Sequence, residues 1–273
     1  MRFRCRSVVG FGRDRMVAYN IKRDQMLNPM DMTGKLIIVT GASDGIGRAA
    51  ALHLAMLGAK TVLISRDVNK LKLISEALGK NPHKIYPYDL TDLEGIEDLI
   101  RTISEENGKI DGMVHCAGVS PMMPLKSTKY DLFHNTMLIN FYAFAELVRC
   151  AGKAANCNDG ASFLAVSSVS SVKGNKAQSA YAASKAAVSG VIKPMAKELS
   201  SRGIRVNSVL FGIIKTGMYE KFLEQGGDMS LWNGQYLGLG SPEDAANVIS
   251  FLLSDASKLI TGTDLIADGG YLS

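Results

Sequence analysis

The chain has 273 residues and a net charge of +5, and 47% of it is apolar, enough for a substantial core and against a disordered chain. The charge is uneven: residues 1–33 hold seven basic and three acidic side chains, leaving +1 for the rest, which argues against a nucleic-acid-binding face on the folded part. No run approaches ~18 uninterrupted apolar residues, so no membrane span is expected, and Cys5, Cys116, Cys150 and Cys157 form no CxxC and no metal-ligand grouping, which points to free thiols in the cytoplasm.

Residues 1–33 lack clean periodicity and lack an apolar run with a small-residue cleavage site, so they read as a poorly ordered N-terminal extension, not a secretion signal. Met26, Met30 and Met32 near its end fit translation counted from too early a start. Residues 34–273 read as a single domain. It opens with Lys35–Thr40, a short apolar run of buried-strand type. Gly41-Ala42-Ser43-Asp44-Gly45-Ile46-Gly47 follows, then a helical pattern from Arg48 to Leu57, a stop at Gly58, and a second strand over Thr61–Ser65. A strand, glycine-rich turn, helix and strand in this order make a dinucleotide-binding unit. The glycines admit the pyrophosphate close to the backbone, and the helix N-terminus offers it free N–H groups.

The tip of the second strand bears on the choice of dinucleotide. NAD enzymes place an acid there for the ribose hydroxyls; here Ser65 and Arg66 stand instead. A small hydroxyl beside a forked guanidinium suits a 2′-phosphate, so NADP(H) is expected over NAD(H).

Alternation continues with a helix over Asn69–Leu78, a strand over Lys84–Tyr88 ending at Asp89-Leu90, and an acid-led helix over Asp92–Asn107. Asp111–His115 is a strand running into Cys116-Ala117-Gly118, small residues against which a cofactor can lie. A long helix over Tyr130–Ala155 carries Asn140, and a fifth strand over Ser162–Ser167 ends at Ser168. A helix from Gln178 to Ser201 stops at Gly203; Ile204–Leu210 is a sixth strand, Pro242–Leu253 a helix, and Asp264–Ala267 a closing strand. This rhythm predicts an α/β fold: a single Rossmann-type, doubly wound parallel sheet with helices on both faces. Lys215–Gly240 is long, irregular and glycine-bearing, the character of a substrate lid, with Tyr219, Phe222, Trp232 and Tyr236 as candidate contacts.

Tyr181 and Lys185 lie four residues apart, so a phenol and an ammonium share one helix face. A free tyrosine has a pKa near ~10, too high for ready proton exchange at neutral pH. One cation about 4 Å away at an effective dielectric of ~20 is worth about 4 kcal/mol, enough to bring the phenol towards 7. Lys185 is therefore expected to depress the pKa of Tyr181.

Taken together over residues 34–273, these motifs resemble the short-chain dehydrogenase/reductase family. Thr40-Gly41-x3-Gly45-x-Gly47 matches its nucleotide fingerprint, Asp89 its adenine-contacting acid, and Asn140, Ser168, Tyr181 and Lys185 its catalytic tetrad. The closing Ser241-Pro-Glu-Asp and Asp268-Gly-Gly are also typical. The chain departs from the family in three places. His115-Cys116 stands for Asn-Asn before Ala117-Gly118, Phe211-Gly212 for Pro-Gly, and Pro194 interrupts the catalytic helix more than two turns past Lys185, where it should kink it.

The resemblance implies an NADP(H)-dependent oxidoreductase that interconverts a ketone and a secondary alcohol. Tyr181 is then the acid/base, Ser168 the carbonyl-oxygen stabiliser, Lys185 the tuner of Tyr181 that also holds the nicotinamide ribose, and Asn140 the seat of a proton-passing water. The dinucleotide would meet Gly41, Ser43, Asp44, Gly45, Ile46, Gly47, Ser65, Arg66, Asp89, Leu90, Cys116, Ala117, Gly118, Tyr181 and Lys185, with Ile214 and Thr216 clamping the nicotinamide and phosphate end. No metal is expected. The substrate is a small-molecule or acyl-carrier-bound carbonyl. A 3-oxoacyl-[acyl-carrier-protein] reductase is one reading, with Lys126, Lys129, Lys173 and Lys176 as a docking patch; a sugar or steroid alcohol dehydrogenase is another. A catalytically silent dinucleotide sensor is the rival class, but such proteins lose the Tyr or Lys. The family also implies a homodimer or homotetramer, compatible with the small face Ala182, Ala186 and Gly190.

Overall fold

Seven strands pair in parallel into one sheet: β1 Leu36–Thr40, β2 Lys60–Ser65, β3 His83–Pro87, β4 Ile110–His115, β5 Cys157–Ser168, β6 Arg205–Phe211 and β7 Asp264–Ala267. The computed structural model describes residues 28–226 and 234–273. Strand order is β3-β2-β1-β4-β5-β6-β7, so the chain winds outward from β1, then crosses to β4 and winds the other way. Parallel pairing needs a crossover between successive strands, which α1 Gly45–Met56, α2 Val68–Leu78, α3 Ile96–Asn107, α4 Tyr130–Met137, α5 Ala143–Ala151, α6 Ser179–Leu199, α7 Gly217–Glu224 and α8 Pro242–Leu253 supply.

Strand residues alternate between two cores. Ile38, Val62, Met113 and Phe163 pack against Ile100 of α3, Leu147 of α5 and Ile192 of α6. Ile37, Val39, Leu63 and Val114 pack the opposite face against Leu54 of α1, Leu71 of α2 and Ile249 of α8. The doubly wound sheet expected from the alternation of elements is therefore present. In such a sheet the ligand crevice opens at the carboxyl ends of the strands where the winding reverses, here between β1 and β4.

Several boundaries differ from those read in the sequence. The helix expected from Asp92 begins at Ile96, because the Asp92 carboxylate takes the Gly95 N–H at 3.2 Å and holds a turn there. The fifth strand begins at Cys157 rather than Ser162; Asn158, Asp159 and Gly160 are exposed, so no apolar pattern marks that stretch. The long helix over Tyr130–Ala155 is two helices, α4 and α5, joined by a π turn over Leu138–Tyr142 that contains Asn140. It ends at Ala151, where the Gly152 N–H returns to Val148. α7 fills the first part of the irregular Lys215–Gly240 segment, and Trp232 lies outside the described residues. α6 runs from Ser179 to Leu199 with Pro194 inside it.

Residues 28–33, read from the sequence as part of the extension, pack onto the domain; residues 1–27 lie outside the described residues. Met32 is fully buried among the α1 and β1 side chains, and its N–H donates to Leu57 at 2.8 Å. Gly58, at φ +94, stands where a Cβ would press on Thr33, so the end of α1 and this segment hold each other. A lone buried Met has no periodic signature in sequence. Met32→Ala should lower unfolding free energy by about 2–5 kcal/mol, the range for emptying a large buried site, read as a drop in urea midpoint at constant slope.

Candidate active site

The glycine-rich turn between β1 and α1 is held by contacts that leave no room for side chains. A Cβ on Gly41, which sits at φ +63, would lie 2.7 Å from the Ala117 nitrogen, and one on Gly45 would lie 3.1 Å from Thr216 Cγ2. Asp44 caps α1 by accepting the Gly45 N–H at 2.7 Å, and Lys70 of α2 lies 3.3 Å from its other oxygen. A glycine cradle at the start of a 12-residue helix suits a pyrophosphate. At the tip of β2, Ser65 Oγ donates to Ser43 Oγ at 2.7 Å, and the largely exposed Arg66 guanidinium lies 3.8 Å from Asp89.

Asp89 is held by its own loop. Its Oδ1 accepts both the N–H and the hydroxyl of Thr91, at 3.0 and 2.9 Å, and these bonds hold its carboxyl below the usual range. Tyr88 and Leu90, its neighbours, line the cavity; Asp89 does not.

Asn140 is fully buried in the π turn, and its amide is fully engaged. Oδ1 accepts the Val119 N–H at 2.8 Å, while Nδ2 donates to the Val119 carbonyl at 2.9 Å and to Ser184 Oγ at 2.9 Å. The side chain thus ties the segment after β4 to α6. A π turn inside an α-helix is rare and is frequently found at functional sites.

Ser168 ends β5, and one turn of α6 carries Tyr181 and Lys185 towards it. Ser168 Oγ accepts the Ser170 N–H at 3.1 Å, which leaves its own hydrogen to turn towards the Tyr181 phenol. Lys185 Nζ donates to the Val166 carbonyl at 2.7 Å and lies 5.8 Å from the Tyr181 ring centre. The expectation that Lys185 lowers the phenol's pKa is not met in this geometry. Burial pushes Tyr181 up and Ser168 only partly offsets that, while the Lys185 ammonium is hydrogen-bonded to the Val166 carbonyl. Burial also lowers Lys185 to about 8.

This lowered value has a sign that can be tested. Unfolded lysine titrates near 10.5, so between about 8 and 10.5 the unfolded chain binds more protons and stability rises with pH. The gain is complete above 10.5 and lost as pH falls to 8. Relative to Lys185→Met, the wild type should gain about 3 kcal/mol between neutral and strongly alkaline pH, measured by paired urea titrations; a pH-independent difference counts against the buried-amine account.

The residues described meet in one cavity of about 610 Å³ at the switch point. Its wall holds every dinucleotide position named from the sequence except Asp89, together with Ser168, Tyr181 and Lys185; Asn140 lies behind it. Tyr219 and Phe222 of α7 line it as anticipated, whereas Tyr236 is exposed and does not. Lys126, Lys129, Lys173 and Lys176 are exposed and outside the lining, and Lys173 lies 3.9 Å over the Tyr271 ring. Val119, Pro121 and Gln178 also line the cavity and were not singled out from sequence. Gln178 had a usable signal, because it sits three residues before Tyr181, at the N-terminal cap of the same helix. The Cys116 thiol is pushed up to about 12 by burial, which fits a packing residue and not a nucleophile.

Comparison with known proteins agrees in fold and family. A family model described as enoyl-(acyl carrier protein) reductase matches residues 41–272. The 3-oxoacyl-[acyl-carrier-protein] reductase FabG of Thermotoga maritima is 36% identical over 251 residues, spanning 89% of this chain and 100% of the relative. That of Vibrio harveyi is 36% identical over 250 residues, spanning 88% and 98%. Among solved structures, a short-chain dehydrogenase/reductase from Serratia marcescens superposes with a TM-score of 0.83 at 25% identity, covering 89% of this chain and all of that one. A dehydrogenase/reductase from Sinorhizobium meliloti gives 0.80 at 29% identity, covering 90% and 98%.

Proposed function

The chain belongs to the short-chain dehydrogenase/reductase family of oxidoreductases that use a nicotinamide dinucleotide, and from that premise we propose that it reduces a ketone to a secondary alcohol with NADPH, with a 3-oxoacyl thioester on an acyl carrier protein as substrate. The observation that carries the reading is that Ser168, Tyr181 and Lys185 line the same cavity as the glycine cradle. When bound, the dinucleotide supplies the hydride. The backbone of Gly41–Gly47 would hold its pyrophosphate, and Ser43, Ser65 and Arg66 its 2′-phosphate. Asp89 and Leu90 would border the adenine, Cys116–Gly118 would floor it, and Ile214 and Thr216 would flank the nicotinamide.

Tyr181 gives its proton to the carbonyl oxygen as negative charge develops there. A phenol whose pKa burial has raised stays protonated at neutral pH, which is the state a donor needs. Ser168 offers a second hydrogen bond to the same oxygen. Lys185 contributes positive charge beside the phenol and a donor for the nicotinamide ribose. Asn140 acts by holding the segment after β4 and α6 in register.

The relatives' name supports the acyl-carrier substrate, and exposed Lys126, Lys129 and Lys176 offer positive charge to an acidic carrier. The described cysteines Cys116, Cys150 and Cys157 are unpaired, which supports a reducing, cytoplasmic location. Exposed Ala186 and Gly190 on α6 suit close packing of a second copy in a dimer or tetramer.

Dinucleotide oxidation followed with 3-oxoacyl thioesters, sugar ketones and steroid ketones tests the reading. Arg66→Ala should raise KM for NADPH by about tenfold, one charge-assisted contact, and leave that for NADH unchanged. A wild-type preference for NADH would sink the NADP assignment; turnover of sugar or steroid ketones alone would sink the acyl substrate.

A further inference from the structure

His115 ends β4 beside Thr40 of β1, its register partner, and is buried. Its two ring nitrogens reach in different directions: Nδ1 is 2.9 Å from Thr40 Oγ1, and Nε2 is 3.0 Å from the Ile139 carbonyl oxygen. A carbonyl can only accept, so the proton sits on Nε2, and Nδ1 accepts from the Thr40 hydroxyl. Thr40 Oγ1 in turn accepts the Ala117 N–H at 3.3 Å. Burial first, and then the charge of Lys185, hold the imidazole down at about 3, so it is neutral near pH 7.

Ile139 is the residue before Asn140 in the π turn. From there the hydrogen bonds continue without a gap: Asn140 Nδ2 donates to Ser184 Oγ at 2.9 Å, and Ser184 Oγ donates to the Tyr181 carbonyl at 2.7 Å. Ser184 stands next to Lys185 in the turn that separates it from Tyr181. One chain of contacts therefore runs from the Ala117 floor, through Thr40, His115 and the π turn, to the turn of α6 that holds the reacting groups. We propose that His115 is a positioning residue: its grip on the Ile139 carbonyl fixes the π turn and, through Asn140 and Ser184, sets Tyr181 and Lys185 at their distance from the Cys116–Gly118 floor.

An apolar side chain of similar size would fill the space beside Phe144, whose ring centre is 5.9 Å away, but would leave the Ile139 carbonyl without this donor. Asn, the residue the family carries here, ends near the position of Nδ1 and falls short of Ile139; Gln places an N–H near the position of Nε2. The inference rests on the proposed role of Tyr181, so one readout is independent of turnover.

The test compares wild type with His115→Leu, His115→Asn, His115→Gln, Asn140→Ala and the Leu/Ala double variant. It reads kcat per dinucleotide-binding site, KM for NADPH, and amide hydrogen exchange in the unliganded protein. His115→Leu should lower kcat by about tenfold or more, the scale of a small misplacement of reacting groups, with KM for NADPH nearly unchanged. It should speed exchange over residues 138–142 and 181–185 but not over β6. His115→Gln should restore most of kcat, His115→Asn should not, and the Leu substitution should cost little more once Asn140 is Ala. Wild-type kcat in the Leu variant, losses that multiply in the double variant, or exchange that rises evenly across β1 and β6 would each overturn the proposal. If the Leu variant does not fold, equal kcat in the Gln and Asn variants overturns it and a Gln-only recovery supports it. Failure of the wild type to turn over any ketone would reject the reaction, while the exchange pattern would still decide the positioning.

Discussion

Tyr181→Phe should lower kcat for ketone reduction by about 10²–10⁴-fold, the usual contribution of a positioned general acid, while leaving the Kd for NADPH nearly unchanged. The substitution removes one oxygen and keeps the ring, so the packing of α6 on the cavity wall is retained. What is lost is the only proton that the phenol can give to a developing alkoxide. Because burial raises the phenol's pKa, the proton is in place throughout the neutral range, and wild-type reduction should not decline as pH rises from about 6 to 8 through loss of this group. Stopped-flow binding and steady-state turnover separate the two effects. A Phe variant that keeps more than about a tenth of the wild-type rate would remove Tyr181 from the role of acid.

Gly47→Ala should weaken dinucleotide binding by about 100-fold or more, about 2.7 kcal/mol, and should also lower stability by about 3 kcal/mol. A Cβ there would lie 2.7 Å from the Gly41 carbonyl carbon, nearer still to its oxygen, and 3.2 Å from the Ala42 nitrogen. All of these are backbone atoms, so no rotamer change relieves the overlap. Sliding α1 away is blocked as well, because Ala50, Ala51 and Leu54 are fully buried against the sheet. The turn must therefore open, and the N–H groups that face a pyrophosphate lose their arrangement. Gly174→Ala is the matched control, since a Cβ there meets nothing within 4 Å and φ is not positive. Fluorescence titration with NADPH and urea unfolding of both variants check the expectation. Equal affinity in the two would show that the cradle does not hold the dinucleotide.

The fold was legible because its signals are local. Buried strands such as Leu36–Thr40 appear as apolar runs, the Gly41–Gly47 turn as glycines at fixed spacing, and α6 as a helical face ended by Gly203. The spacing of Tyr181 and Lys185 was legible for the same reason, since a helix turns the same way wherever it stands. Boundaries were lost where a side chain competes with the helix, as Asp92 does at Gly95, or where an exposed stretch such as Asn158–Gly160 extends a strand without an apolar pattern.

What the tertiary structure alone decided concerns groups whose partners are distant in sequence. Met32 belongs to the core because α1 and β1 close over it, and the Asp89 carboxylate is held by Thr91 with Arg66 nearby. Asn140 braces the segment after β4 against α6 because its amide reaches both Val119 and Ser184. The same holds for the central pair. Its members and their spacing were written in the sequence, but the direction of the Tyr181 pKa was not. That direction depends on how much water the surrounding elements exclude, which residues far away along the chain decide.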